Sequence, residues 1–256
     1  MAHPASIDEI ARRAFRLKDA TRAKDLETWC DARKIDHAWM PEGRRFADLK
    51  LVAMDMDSTL ISIECIDELG DLAGRKAEIA SITAQAMRGE LDYPQSLRKR
   101  VALLAGLQES ALGRVYDERL RLTPGAEALV KKCKDHGVKL LLVSGGFAFF
   151  TERLKKRLGI DYTISNRLEV ANSQLTGGLV GGIVDADAKA AKFREVVKEL
   201  NAAQHQTVAI GDGANDLKMM AEAGLSVAFH AKPVVRAQAS CAINWCGLDA
   251  VVSLFE

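Results

Sequence analysis

The chain has 256 residues, a length that fits one core domain and a smaller module, and its 36 basic and 35 acidic residues leave a net charge of +1 at pH 7. Because the two signs are interspersed, nothing indicates a nucleic-acid partner. The first residues lack the basic and apolar parts of a signal peptide, and no apolar run approaches the length of a membrane span, so we expect a cytoplasmic protein without a membrane partner.

Residues 1–46 are predicted to form a helical extension. Apolar residues recur at positions 7, 10, 11, 14 and 17, and then at 23, 26 and 30, which is the spacing of two amphipathic helices. A Pro-Glu-Gly stretch at 41–43 predicts a linker before the first buried strand. Two interpretations of the extension stay open: it packs on the core, or it contacts the second chain of a homodimer.

The core is predicted to alternate strands and helices. Apolar runs predict strands over 51–54, 139–143, 207–210, 225–229 and 241–244, and a Gly-rich hairpin within 167–184. Helical spacing predicts helices over 124–136, 147–158, 187–201 and 214–223, and one from 248 onward. This alternation predicts an α/β fold with a doubly wound, Rossmann-like parallel sheet.

A long helical insertion separates the first two predicted strands. Its helices are predicted over 76–87, 93–104 and 109–120, with breaks at Gly89, Gly106 and Pro124. We therefore predict a helical cap domain over 62–122 and a core domain made of 47–61 and 123–256. A cap in this position can exclude water and select substrates.

Three of the predicted strands end in polar or acidic residues. These strands lead into Asp55-Met56-Asp57-Ser58-Thr59, Ser144-Gly145-Gly146 and Gly211-Asp212-Gly213-Ala214-Asn215-Asp216. Since the carboxyl ends of parallel strands share one edge of a sheet, these groups can converge there. The third segment has only two of the three glycines of a dinucleotide fingerprint, and the chain has no Gly-Lys-Ser/Thr of a P-loop and no membrane domain of an ion pump.

Such an edge suits phosphate-ester hydrolysis. A phosphate dianion approaches carboxylates only if a cation cancels charge, and Mg²⁺ prefers oxygen ligands such as Asp55 and Asp212, with Asp216 as a further candidate. A lysine and the Ser144 hydroxyl can hold the other phosphate oxygens. One ionised aspartate can act as the nucleophile, forming an aspartyl-phosphate, while an acid two residues away protonates the leaving group.

Taken as a set over residues 49–245, these motifs resemble the haloacid dehalogenase superfamily of phosphatases, and within it the enzymes that act on phosphoserine. The resemblance implies that Asp55 is the nucleophile and a metal ligand, and that Asp57 is the general acid and base, its backbone carbonyl also binding Mg²⁺. It further implies two metal-site acids, Asp212 and Asp216, and four phosphate contacts, Ser144, Gly145, Asn215 and Lys189, with Lys192 as the alternative lysine.

Substrate selection is assigned by the same resemblance to the cap. It implies that Glu64 and Arg100 bind the ammonium and carboxylate of the substrate and that Met87 and Tyr93 form an apolar wall; the position of Tyr93 is often phenylalanine in the family. Charge patterning alone would make Glu64 and Arg100 part of a solvated helix face.

The expected function is Mg²⁺-dependent hydrolysis of O-phospho-L-serine to L-serine and phosphate, the last step of serine biosynthesis. Two alternatives are a phosphatase for another small phosphomonoester such as phosphohomoserine, and an inactive phosphate-binding regulatory protein.

Overall fold

A computed structural model describes residues 4–11, 14–21, 23 and 25–256, and a seven-stranded sheet lies at its centre. The strands are β1 (Ser6–Ala11), β2 (Ala14–Lys18), β3 (Leu51–Met54), β4 (Lys139–Phe147), β5 (Tyr162–Ala171), β6 (Gln174–Val180), β7 (Thr207–Gly211), β8 (Leu225–Phe229) and β9 (Cys241–Ile243). The order in the central sheet is β6-β5-β4-β3-β7-β8-β9, and every neighbouring pair is parallel except β5 and β6.

The chain enters this sheet at its middle strand. It runs outward from β3 through β4 to the hairpin of β5 and β6, and then returns to the other side of β3 with β7, β8 and β9. The strand order therefore reverses beside β3, and in parallel α/β sheets ligands bind outside the carboxyl ends of the strands at such a reversal.

Helices cover both faces of the sheet. They are α1 (Leu26–Asp31), α2 (Cys65–Leu72), α3 (Lys76–Met87), α4 (Tyr93–Ala102), α5 (Ser110–Arg114), α6 (Ala126–Asp135), α7 (Ala148–Leu158), α8 (Ala186–Glu199), α9 (Leu217–Glu222) and α10 (Pro233–Arg236). Val52 and Met54 of β3 join the apolar cluster that contains α6 and α7, whereas Leu51 and Ala53 join the cluster that contains α8 and α9. This alternation follows from the two-residue period of a strand and confirms the doubly wound sheet.

The segment between β3 and β4 is helical, as predicted. Helix α3 has the predicted bounds, and α4 begins at the predicted residue, where Asp92 accepts the backbone N–H of Gln95 at 2.7 Å in a capping box. Helix α5 continues into a wide helical turn over Val115–Arg119. That residues 62–122 form a separate domain stays a prediction; below, this segment is called the cap.

The cap is joined to the core at two places by backbone hydrogen bonds. At its chain ends the backbone N–H of Ser58 in the core donates to the carbonyl of Ile63 in the cap at 3.2 Å, and the two connecting segments are paired by bonds from Ser62 to Arg121 and from Thr123 to Leu60, each at 3.0 Å. At the far side the loop before α5 pairs with the hairpin of β5 and β6, where Gly106 donates to Leu175 at 2.8 Å, Leu175 to Leu107 at 2.8 Å and Glu109 to Ser173 at 2.9 Å.

The predicted helical extension is wrong over residues 6–11 and 14–18. β1 and β2 form an antiparallel hairpin in which Ile7 opposes Leu17, and within the described part of residues 1–46 α1 is the one α-helix. The predictions for 1–3, 12–13, 22 and 24 lie outside the described residues. The hairpin is fastened to the core because Arg16 donates to the carbonyls of Ser253 at 3.1 Å and Phe255 at 2.8 Å.

A second contact fastens the extension near its end. The carboxylate of Asp36 accepts the backbone N–H groups of Asn244 at 2.6 Å, Trp245 at 3.0 Å and Cys246 at 2.8 Å. Of the two interpretations of the extension, packing on the core is therefore observed, and the homodimer contact stays a prediction. In the described part of the chain, no helix has the length and apolar character that crossing a membrane requires.

Candidate active site

Three carboxylates converge at the carboxyl edge of the sheet. Asp55 directly follows β3 and Asp212 directly follows β7, and these two strands are neighbours in register. Asp216 lies one turn further, in the turn Ala214–Asp216 that leads into α9. Oxygens of the three side chains lie within 4.8 Å of one another, so the strand ends have brought together residues that are more than 150 positions apart in the chain.

Lys189 on α8 enters this cluster from one side. Its side chain is completely buried, and its Nζ atom lies 2.7 Å from Oδ1 of Asp216 and 3.1 Å from Oδ1 of Asp55. Burial acts to lower the pKa of the ammonium, but the Asp216 and Asp55 carboxylates outweigh it and the pKa is raised. The alternative lysine, Lys192, is paired with Glu195 at 2.6 Å outside the cluster.

The cluster carries more negative charge than one lysine balances. Burial, followed by the charge of Asp216, raises the pKa of Asp55 well above its usual value, and the same two causes raise the pKa of Asp212 to about 7. The Thr59 hydroxyl donates to Oδ1 of Asp212 at 3.4 Å and orients it. Several hard oxygen donors with unbalanced charge suit a divalent cation, so the cluster can bind a metal ion.

Asp57 points to a different part of the site. Its Oδ1 accepts the backbone N–H of Cys65, the first residue of α2, at 2.9 Å. Burial and then the charge of Glu64 raise the pKa of Asp57 to about 7. A Cβ atom at Gly146 would lie 2.5 Å from Oδ2 of Asp57, so a larger residue there would displace this carboxylate. The two aspartates thus have the separate environments that separate roles require.

Ser144, Gly145 and Gly146 lie in the last part of β4, where its register with β5 is interrupted between Val143 and Phe147, and hydrogen bonds fix this segment, which is called the glycine loop below. The backbone N–H of Gly146 donates to Oγ of Ser144 at 2.8 Å. The carbonyl of Gly145 accepts from Nδ2 of Asn166 at 2.7 Å and from the hydroxyl of Tyr93 at 3.1 Å. Sequence reasoning missed Asn166, which lies in the middle of β5 and is not part of any motif.

The predicted substrate-recognition residues lie on the cap side of Asp57. The Ser58 hydroxyl donates to Oε1 of Glu64 at 2.7 Å, and Ser58 has a left-handed backbone with φ +55°. Burial raises the pKa of Glu64, whereas the hydrogen bond from Ser58 and the positive charges of Arg100 and Lys232 act to lower it. Sequence reasoning did not select Ser58 or Lys232.

Two other predicted residues differ in placement. Asn215 is half-buried in the turn between Asp212 and Asp216, beside the carboxylate cluster that can bind a metal ion. Met87 is the last residue of α3 and is 66% exposed, so its assignment to the substrate wall stays a prediction.

The chain is similar to known proteins in both sequence and structure. A family model of haloacid dehalogenase-like hydrolases matches residues 52–221. A phosphoserine phosphatase of Polaromonas sp. is 57% identical over 217 residues, which are 83% of this chain and 92% of that protein.

Two solved structures are also similar. The unliganded probable phosphoserine phosphatase of Vibrio cholerae has a TM-score of 0.84 at 43% identity, over 94% of this chain and 74% of that one. A phosphoserine phosphatase solved as an analogue of its phospho-aspartyl intermediate has a TM-score of 0.76 at 38% identity, over 81% of this chain and 99% of that one.

Proposed function

Because this chain belongs to the haloacid dehalogenase-like hydrolases, we propose that it is a phosphomonoesterase that hydrolyses O-phospho-L-serine to L-serine and phosphate. The observation that carries the proposal is the buried cluster of Asp55, Asp212, Asp216 and Lys189, with Asp57 and the glycine loop beside it. Related proteins named phosphoserine phosphatase support the substrate. The metabolic setting would be the last step of serine biosynthesis, in the cytoplasm.

The proposed metal is Mg²⁺. The carboxylates of Asp55, Asp212 and Asp216 and the backbone carbonyl of Asp57 would hold it, and when bound it would neutralise charge on the carboxylates and on the phosphate. Lys189 and the Ser144 hydroxyl would hold further phosphate oxygens, with Asn215 as an additional contact. This donor set contains only hard oxygens, which is the preference of Mg²⁺.

The first chemical step uses Asp55 as the nucleophile. Its Oδ1 accepts the backbone N–H of Met56 at 2.7 Å and faces Lys189, which fixes the rotation of the carboxylate. An oxygen of Asp55 attacks phosphorus, the bond from phosphorus to the serine oxygen breaks, and Asp57 gives its proton to the leaving oxygen. The pKa of Asp57, raised to about 7, leaves a protonated fraction for this task at neutral pH.

The second step reverses the role of Asp57. Now ionised, Asp57 takes a proton from a water molecule as the water oxygen attacks phosphorus, and the bond from phosphorus to Asp55 breaks. Phosphate leaves and both aspartates return to their starting states. The amino-acid part of the substrate would be held by Glu64 at its ammonium and Arg100 at its carboxylate, with Tyr93 and Met87 beside it.

The test compares phosphate release from phosphoserine, phosphohomoserine and p-nitrophenyl phosphate, with Mg²⁺ and with a chelator. We expect the highest kcat/KM for phosphoserine and loss of activity with the chelator. Asp55→Asn should abolish turnover, whereas Asp187→Asn, which removes an exposed carboxylate paired with Lys218 on the surface, should not. Phosphate binding without any turnover would instead identify a binding protein.

A further inference from the structure

The carbonyl oxygen of Gly145 receives hydrogen bonds from two elements that are far apart in the chain. Asn166 donates from β5 at 2.7 Å, and Tyr93 donates from the first residue of cap helix α4 at 3.1 Å. Tyr93 reaches this oxygen only because residue 145 is a glycine, since a Cβ atom there would collide with the tyrosine hydroxyl.

These two donors fix a single peptide group. The carbonyl of Gly145 and the N–H of Gly146 belong to the same planar unit, and that N–H donates to Oγ of Ser144 at 2.8 Å. The peptide is thus held at both ends. Because Oγ of Ser144 accepts a hydrogen bond from Gly146, the hydroxyl proton of Ser144 is left to be donated to a ligand.

Asn166 is itself rigidly held. It is 2% exposed, and its Oδ1 accepts the backbone N–H of Val184 at 2.8 Å. Val184 immediately precedes Asp185, whose side chain accepts the N–H of Ala188 and caps the helix that carries Lys189. One amide therefore connects the glycine loop to the start of the lysine helix, which are the two elements that meet the phosphate in the proposed function.

We propose that Asn166 and Tyr93 are positioning residues for the phosphate-binding loop, which they orient by donating to the same carbonyl oxygen of Gly145. This inference rests on the proposed function, because it assigns phosphate binding to that loop. Asn166 supplies a contact within the core, whereas the contact of Tyr93 exists only while the cap lies on the core. Full ordering of the loop is thereby coupled to closure of the cap.

The first experiment removes only the tyrosine hydroxyl. Tyr93→Phe keeps the aromatic ring, and Tyr162→Phe is its matched control, since the Tyr162 hydroxyl donates to Glu199 at 2.7 Å at an exposed position. We expect Tyr93→Phe to lower kcat/KM about two- to tenfold on both phosphoserine and p-nitrophenyl phosphate, because the loop contacts the phosphate that both share. Inhibition by inorganic phosphate should weaken by a similar factor.

The outcomes separate three roles. A loss confined to phosphoserine would make Tyr93 a wall for the amino-acid part alone and overturn the proposal. A fall in Tm without any change in phosphate inhibition beyond that of Tyr162→Phe would make its role purely structural and also overturn it. If the wild-type protein hydrolyses none of the esters, the proposed function fails, but calorimetric titration with inorganic phosphate still compares the two variants for the loop.

The second experiment tests whether Asn166 and Tyr93 act through the same acceptor, the carbonyl oxygen of Gly145. Asn166→Asp keeps the acceptor for Val184 and loses the donor to Gly145, and Asn166→Ala loses both. We expect each to lower kcat/KM on both substrates on the order of tenfold or more. Adding Tyr93→Phe to either should then cost less than it does alone, because the displaced carbonyl no longer meets the tyrosine. Multiplied losses, or a folded Asn166→Asp with wild-type activity, would overturn the proposal.

Discussion

The Nζ atom of Lys189 lies 2.7 Å from Oδ1 of Asp216, and neither side chain is accessible to solvent. A buried ion pair of this kind costs desolvation energy and is retained only where its partners are well placed. Here the ammonium also reaches Asp55 at 3.1 Å, so one cation partly offsets a cluster of three carboxylates. The site is therefore poorly balanced without a further cation, and its stability should depend on both lysine and metal.

Replacing Lys189 with methionine should destabilise the metal-free protein by about 3 to 5 kcal/mol, because the buried carboxylates lose their partner. Urea denaturation in a chelator measures this change. Lys192→Met is the control: it removes a lysine on the same helix whose partner Glu195 is exposed, and it should change the free energy of unfolding by less than about 1 kcal/mol. Equal losses of unfolding free energy in the two variants would contradict the role assigned to Lys189, which is to compensate the charge of the buried carboxylates.

Mg²⁺ should raise Tm more at pH 8 than at pH 5. Burial and Asp216 raise the pKa of Asp55, and raise that of Asp212 to about 7 from 3.8. A carboxyl group whose pKa is higher in the folded protein than in the unfolded chain binds its proton more tightly in the folded protein. Its contribution to stability is therefore complete below about pH 4 and is lost as the pH rises through 7. A cation that binds the ionised carboxylates restores the stability that is lost at high pH. Thermal melts with Mg²⁺ and with a chelator at both pH values test this; an equal gain would contradict it.

Glu64→Gln should move the alkaline limb of the kcat/KM profile to lower pH. Burial raises the pKa of Asp57, and the negative charge of Glu64 adds to it. Removing that charge lowers the pKa of Asp57, so the protonated form of Asp57 is lost at lower pH. The profile is measured with a simple alkyl phosphate such as ethyl phosphate, which lacks the ammonium that Glu64 would bind but, like phosphoserine, has a leaving oxygen that needs a proton from Asp57. Glu195→Gln, at an exposed position on α8, should leave the limb unmoved, and an unmoved limb in Glu64→Gln would refute the coupling.

Arg100→Ala should raise KM for phosphoserine on the order of tenfold or more, with little change for p-nitrophenyl phosphate, since only the first substrate offers a carboxylate to the guanidinium. The control is Arg98→Ala, which removes an exposed arginine on the same helix. Comparable losses on both substrates would leave Arg100 without the recognition role.

Asp36→Ala should lower the free energy of unfolding by about 2 to 3 kcal/mol without changing kcat. The carboxylate of Asp36 accepts three backbone N–H groups of the loop after β9, and truncation leaves them without that acceptor. Asp31→Ala, at an exposed position on α1, provides the comparison. A Tm equal to that of Asp31→Ala would show that the loop does not depend on this contact.

The central part of the fold could be predicted because its signals are local. Apolar runs that stop before Asp55, Ser144 and Asp212 marked where three strands approach the carboxyl edge of the sheet, although β4 continues to Phe147, and a parallel sheet necessarily brings these segments together. The helix spacing of 76–87 was long enough for its period to be unambiguous, and α3 has those bounds.

The N-terminal hairpin could not be predicted from the same kind of signal. Ile7, Ile10 and Leu17 fit a helical period, but Phe15 and Leu17 also alternate with Arg16, and segments of five or six residues are too short for either period to decide. Asn166 was missed for a different reason: its function depends on contacts with residues 145 and 184, and single-sequence patterns carry no information on such long-range pairs.

The two places where backbone hydrogen bonds join the cap to the core also restrict how the site can open. One lies at the chain ends of the cap, where Ser58 meets Ile63, and the other where Gly106 and Glu109 meet the hairpin of β5 and β6. Two fixed points define a line, and rotation about that line is the motion that preserves these bonds. Substrate entry would then require only a rotation of the cap about this line. The β5–β6 hairpin, which lies on the line, would keep its position during that rotation.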